Sequence, residues 1–279
     1  MSLIIEIGGM GSNMKKRVLS AIVMALIAIP ILIIGKEVFA IFVGLLAVCG
    51  AYELIKIRET ERKFPFLIKI FAYLMVLFFT LNNFDSIEFL YNIDCRVLSF
   101  LLFVFLVPVV FINDKDKYNI MDGVFLITTI VFIGLSFNLI ILIRNFDLKY
   151  IIYLLLITIT TDTFALVTGS LIGKTPLAPR ISPKKTIEGS IGGSIMGTII
   201  PTIFYMMVIN PRYPLVIIIL ITCLLSCVGQ LGDLFFSFVK REYNKKDFSN
   251  IIPGHGGILD RFDSLIFVVL TFILFISII

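Results

Sequence analysis

A chain of 279 residues that is 59% hydrophobic, with a mean hydropathy of +1.06, has too little polar surface to be an ordinary soluble globular protein; it reads as a polytopic membrane protein. Its formal net charge of +5 suits anionic substrates or lipid headgroups, although the inward bias of basic residues in membrane proteins produces the same excess. Cys49, Cys95, Cys223 and Cys227 have no metal-ligand grouping, and Cys223 and Cys227 lie one turn apart in an apolar run, so all four read as packing or lipid-facing residues.

In chain order, residues 1–13 are too short to span and lack the shape of a signal peptide, so they read as a cloning scar or an upstream start. Met14-Lys15-Lys16-Arg17 before an apolar run looks like a natural membrane-protein start. Judged against the ~20 apolar residues a bilayer requires, spans are expected at about 18–35, 38–55, 64–81, 97–112, 122–143, 150–172, 187–208, 214–236 and 262–279. The expected fold is all-α, with about nine transmembrane helices. The third and fourth runs are the weakest, because Lys69 interrupts one and the other is short. With the N-terminus inside, nineteen of the 24 basic residues fall on the cytoplasmic side, and only Lys36, Arg96, Arg144, Lys149 and Arg212 fall outside. The two richest polar loops, 173–186 and 237–261, then share the cytoplasmic face.

The chain divides into N-terminal helices over 14–145 and a catalytic region over 146–279. In the first part the loops carry mixed charges, as in Asn113-Asp114-Lys115-Asp116-Lys117, and the spans are read as free of intramembrane charge, so no catalytic residue is expected there. The second part differs. Thr158, Thr160, Thr161, Asp162 and Thr163 sit in mid-span, and a carboxylate at that depth calls for a partner or a water-filled cavity. Pro179 and Pro183 stiffen the next loop, in which Arg180, Lys184 and Lys185 put charge where a triphosphate can lie. Gly189, Gly193 and Gly197 form a small-xxx-small stripe for close helix packing, within one chain or across a homodimer. Asp233 ends a long apolar run, with Ser237 and Lys240 on the same face if the helix continues, and it is expected to meet Asp260.

The polar stretch from Ser237 to Asp263 has the composition of a phosphate and metal site. Gly254, Gly256 and Gly257 permit backbone conformations closed to other residues and let amides approach an anion. Lys240, Arg241 and Arg261 supply positive charge. Asp260 and Asp263, three apart, share a helix face and can present oxygens to a hard cation such as Mg²⁺. Capping of a helix N-terminus is the simpler explanation for Asp263 alone, but it accounts neither for Arg261 between the two acids nor for the glycines before them.

Ser237, Lys240-Arg241, Lys246-Asp247, Ser249, Pro253, His255-Gly256-Gly257, Asp260-Arg261 and Asp263 fall at the spacing of the phosphatidate cytidylyltransferase (CDP-diacylglycerol synthase) signature, and the stretch resembles that family throughout its 27 residues. Two further passages are similar: Asp162-Thr163-Phe164-Ala165 through Gly173-Lys174, with Leu166 standing where an aromatic is expected, and Ser182-Pro183-Lys184-Lys185-Thr186-Ile187-Glu188-Gly189. The resemblance implies transfer of a cytidylyl group from CTP to phosphatidic acid at the cytoplasmic face of a bacterial inner membrane. It implies Mg²⁺, with or without a second cation, on Asp233, Asp260 and Asp263, and a catalytic set of these three with Lys240 and His255. His255 would be a phosphate donor, a proton acceptor or a loop-structuring residue. Substrate binding is carried over to Asp162, Arg180, Ser182, Lys184, Lys185, Ser237, Arg241, Lys246, Asp247, Gly256, Gly257 and Arg261. The partners expected are CTP, phosphatidic acid and the bilayer, with no nucleic acid. A CTP-dependent enzyme acting on polyprenol or ether lipids would share such a site. An ion-coupled transporter is disfavoured because no repeat relates the two halves.

Overall fold

The computed structural model describes residues 20–82, 95–112, 118–209, 213–252, 254 and 256–275. Residues 1–13, the basic Lys15-Lys16-Arg17, Lys115, Lys117, Arg212, Pro253 and His255 therefore lie outside the described residues. With no water in hydrocarbon to satisfy the backbone, apolar runs of this length close their hydrogen bonds internally as helices. Nine are present among the described residues: α1 (Ser20–Ile34), α2 (Lys36–Arg58), α3 (Phe66–Leu81), α4 (Cys95–Ile112), α5 (Ile120–Phe146), α6 (Leu148–Ile172), α7 (Ile187–Phe204, extended by a π-helical turn Tyr205–Ile209), α8 (Leu215–Glu242) and α9 (Leu259–Phe272). Each coincides with an expected apolar run. Five of them, α2, α5, α6, α7 with its π turn and α8, are long and apolar enough to cross a membrane, and the protein is an α-helical integral membrane protein.

Two boundaries matter for the site. α8 continues six residues beyond the expected 236, to Glu242, and α9 begins at Leu259, so that Asp260 is helical. The loop between α6 and α7 is not irregular: β1 (Pro176–Ala178) and β2 (Ser182–Thr186) pair antiparallel, Pro176 opposite Thr186 and Ala178 opposite Ser182. This hairpin forms the two-stranded sheet of an otherwise mainly helical chain.

α5 is the most enclosed of the five long helices and forms the pillar of the bundle, packing on α2, α3, α4, α6 and α9. Leu126, Ile130, Ile133, Phe137 and Ile141 follow helical spacing and are all fully buried. Asn119 and Asp122 start α5 with a reciprocal capping box, and the buried Asp122 carboxylate also receives Arg58 at 3.4 Å and Arg62 at 3.2 Å. At the far end Arg144 donates to the carbonyls of Leu32 (2.9 Å) and Ile33 (2.7 Å). There Gly35, at φ +70°, turns α1 into α2 against the Arg144 guanidinium, a contact that leaves no room for a Cβ. Asn138 donates to Thr80 and Asn82 carbonyls at 2.9 and 3.0 Å, bringing the end of α3 to that same far end. Successive helices thus alternate in direction, and the α2–α3 turn gathers with the start of α5 at the opposite end.

The glycine stripe is used inside the chain. Gly189, Gly193 and Gly197 lie against α6, where an added Cβ would stand 2.7 Å from the Ala165 carbonyl oxygen at Gly189 and 2.7 Å from that of Thr161 at Gly193. Polar side chains continue the contact: Thr161 and Ser226 hydroxyls meet at 2.7 Å, Tyr153 and Thr222 at 2.6 Å, and Gln230 on α8 joins Ser190 at 2.5 Å and Ser194 at 2.8 Å. Overpacking this seam costs about 1–3 kcal/mol. Gly193→Val is therefore expected to lower the thermal unfolding midpoint of the detergent-solubilised protein clearly. Gly44→Ala, which faces only the flexible ends of Leu77 and Leu81, is expected to leave it nearly unchanged.

Candidate active site

The C-terminal three turns of α8 carry Asp233, Ser237 and Lys240 on one side, as their spacing predicts. Ser237 donates weakly to Asp233 at 3.4 Å. The stronger partner of Asp233 comes from elsewhere: Lys185 of β2 forms an ion pair with it, docking the hairpin onto α8. Two further contacts fix the hairpin. Glu188, in the first turn of α7, accepts the amides of Lys174 (3.1 Å) and Thr175 (3.2 Å) and the Thr175 hydroxyl (2.9 Å). Arg241 donates to the Ile181 carbonyl at 3.2 Å and to that of Lys245 at 2.8 Å.

Lys240 is buried, stacks over the Phe248 ring at 5.3 Å and pairs with Asp260 Oδ1 at 2.6 Å. The other oxygen of Asp260 accepts the amides of Gly257 (2.8 Å) and Phe248 (3.1 Å). Asp260 thereby ties both ends of the glycine turn to α9. Gly254 and Gly256 adopt φ of +79° and +86°, open to glycine, and Ile252 donates to the Gly256 carbonyl at 3.0 Å to close the turn. A Cβ at Gly256 would stand 2.9 Å from Asp260 Oδ2.

The expected meeting of Asp233 with Asp260 is not what these contacts describe. Asp260 gives its oxygens to Lys240 and two amides, so its charge is balanced locally. The carboxylate that shares the field of Asp233 is Asp263, one turn further along α9, and Asp162 of α6 lies within electrostatic reach of both, with Lys185 and Lys240 supplying the opposing charge. The approach is possible because α8 and α9 cross at Gly232, where a Cβ would stand 2.7 Å from the Asp263 carbonyl oxygen. Asp162 is exposed at mid-helix.

The other predicted residues are spread around this centre. Arg180 and Lys184 are exposed on the hairpin, and Ser182 is half-buried at the start of β2. Lys246 and Asp247 are exposed beyond α8, and Arg261 is exposed in the first turn of α9. Gly257 is buried, with its amide donated to Asp260 rather than open to an anion.

The residue that sequence reasoning missed is Glu53. Fully buried in α2, it contradicts the expectation that the first half carries no intramembrane charge. It accepts the Ser249 hydroxyl at 2.5 Å and the amides of Ile258 and Leu259 at 2.8 and 2.9 Å. The signal was available: a single carboxylate in an apolar span is as costly in α2 as in α6, where the same rule singled out Asp162.

A cytidylyltransferase family model matches residues 15–279 of the chain. The phosphatidate cytidylyltransferase of Bacillus subtilis (strain 168) is 34% identical over 260 residues, covering 92% of this chain and 95% of the relative. Those of Staphylococcus epidermidis and Staphylococcus haemolyticus are each 37% identical, over 91% of this chain and 96% of the relative.

The two ion pairs differ in burial, and their removal should differ accordingly. Asp260→Asn leaves Lys240 buried and unpaired and is expected to destabilise by about 3 kcal/mol. Asp233→Asn breaks a part-exposed pair and should cost less than about 1 kcal/mol. Thermal melts of the two variants in one detergent check the order.

Proposed function

The chain belongs to the cytidylyltransferase family, and from that premise we propose that it transfers the cytidylyl group of CTP to phosphatidic acid, giving CDP-diacylglycerol and pyrophosphate. An oxygen of the lipid phosphate forms a bond to the α-phosphorus of CTP, the bond from that phosphorus to the bridging oxygen breaks, and pyrophosphate leaves with the electron pair. A phosphate monoester is already an adequate nucleophile, so the protein has chiefly to align it and to neutralise charge. The observation that carries this reading is the convergence of Lys185 and Asp233, Lys240 and Asp260, and Asp263 from the hairpin, α8 and α9 at one end of an apolar bundle.

In this reading Lys184, Lys185 and Arg180 hold the triphosphate from the hairpin side. Lys240 and Arg261 act from the α8 and α9 side, while Arg241 keeps the hairpin in register through the Ile181 carbonyl. Mg²⁺ is the implied cofactor, and the donors fit it. They are carboxylates, and among the described residues no three ligand side chains form a ready cage. Mg²⁺ is typically held by one or two carboxylates together with substrate phosphates and water. Of the three acids expected to hold it, Asp233 and Asp263, which lie within each other's field, would do so, whereas Asp260 is already taken by Lys240 and two amides. When bound, the cation would offset the charge that gathers on the phosphates.

Purified protein supplied with CTP, Mg²⁺ and phosphatidic acid is expected to release pyrophosphate and form a CDP-lipid. Asp233→Asn should remain folded and lose turnover by about a hundredfold or more. Replacing Lys184 and Lys185 with Ala should raise the KM for CTP far more than that for phosphatidic acid. Equal loss for both substrates would point to a damaged fold.

We further propose nine spans with a cytoplasmic N-terminus in a bacterial plasma membrane, and the site at the cytoplasmic face. Support comes from the bias of basic residues and from the gathering of the α2–α3 turn, the hairpin and the α8–α9 loop at one end. A homodimer, if formed, would use a surface other than the Gly189–Gly193–Gly197 stripe, which α6 covers. In a background without other cysteines, Ala178→Cys and Asn250→Cys should be labelled only from the cytoplasmic side of intact cells. Labelling from outside at either position would overturn the orientation.

A further inference from the structure

α9 starts without a cap of its own. Its N-cap residue is Ile258, which has no side-chain oxygen to offer. The amides of Ile258 and Leu259 instead donate to Glu53, 205 and 206 residues away in sequence, and the Ser249 hydroxyl completes the set. All three donors are neutral. The buried Asp122 is balanced by Arg58 and Arg62, and Asp260 by Lys240, whereas the charge of Glu53 is met by hydrogen bonds and by the positive end of α9. A carboxylate accepts only, so a pocket that delivers donors alone is matched to it.

The three consecutive amides Gly257, Ile258 and Leu259 are thus divided between two carboxylates, Asp260 from within α9 and Glu53 from α2. A helix held at its first turn from two directions has its depth and rotation fixed. One turn on, Gly232 presses against the Asp263 carbonyl and fixes the next level. The space beside Glu53 is also closed, since a Cβ at Gly257 would stand 2.5 Å from its carboxylate.

We propose that Glu53 is a positioning residue for the transfer reaction: from the N-terminal helices it sets the first turn of α9 so that Asp260 and Asp263 are aligned with the reacting phosphates. The proposal rests on the function read above. Glu53 is fully buried and acts through α9. Its removal should therefore lower the rate of the chemical step more than the binding of either substrate.

The test is Glu53→Gln in the full-length protein, which keeps the shape but turns N–H groups toward donors. Turnover with CTP and phosphatidic acid is expected to fall at least tenfold, with both KM values within about twofold of wild type. Hydrogen–deuterium exchange over residues 256–260 is expected to quicken about tenfold, with exchange in the middle of α8 unchanged. A kcat within twofold of wild type, or a loss confined to KM, would overturn the proposal. If Glu53→Gln does not fold, Ser249→Ala decides: it removes one donor and should lower kcat severalfold without changing KM, and an unchanged kcat would overturn the proposal equally. Wild-type protein that forms no CDP-lipid would instead sink the functional reading, and the exchange difference would still report the clamp.

Discussion

A carboxylate buried in a low-dielectric bundle must be matched, and the site end of this protein is organised by the different ways that requirement is met. Asp122 is matched by two arginines, Asp260 by a lysine and two amides, and Glu53 by a hydroxyl and a helix N-terminus. These matches are what connect the α2–α3 turn, the start of α5, the loop after α8 and the start of α9. Apolar packing alone would leave those loops unspecified, because hydrocarbon contacts do not distinguish one register of a polar turn from another. Asp233 is paired with Lys185, and Asp263 and Asp162 lie within its field.

Most of the architecture was legible in the sequence. Among the described residues each expected apolar run carries a helix, because a long apolar run closes its backbone hydrogen bonds internally, though only five are long and apolar enough to cross a membrane. That Asp233, Ser237 and Lys240 share one face of α8 follows from their spacing once the helix continues, but the continuation to Glu242, six residues past the expected end, did not follow from run length. The hairpin was not legible: Pro179 and Pro183 signal stiffness, but pairing of three residues with five depends on Glu188, Arg241 and Lys185 anchoring it from outside.

The site was legible in composition and less so in pairing. Asp233 and Asp260 both lie where the ion pairs gather, yet which carboxylate faces which depends on the rotation of α9, whose first turn bonds to Glu53 and whose next lies against Gly232, contacts invisible in a local window. Glu53 shows the limit most plainly. Sequence proximity grouped the chemistry in the second half, whereas the cap of α9 is supplied from the first. The choice between packing within a chain and packing across a dimer, open from the Gly189–Gly193–Gly197 pattern, closes once the carbonyls of Thr161 and Ala165 are found against it.

That seam between α6 and α7 also bears on how the chain enters the membrane. α6 carries Asp162 and several threonines, and α7 is rich in glycine and serine, so both, though long and apolar enough to cross a membrane, are the least apolar of the five long helices. Joined by the short β-hairpin and clasped by Glu188 to Lys174 and Thr175, they can bury their polar flanks against each other and leave Ile191, Ile195 and Ile199 outward. A hairpin that enters as one unit exposes less polar surface to lipid than two helices entering one at a time.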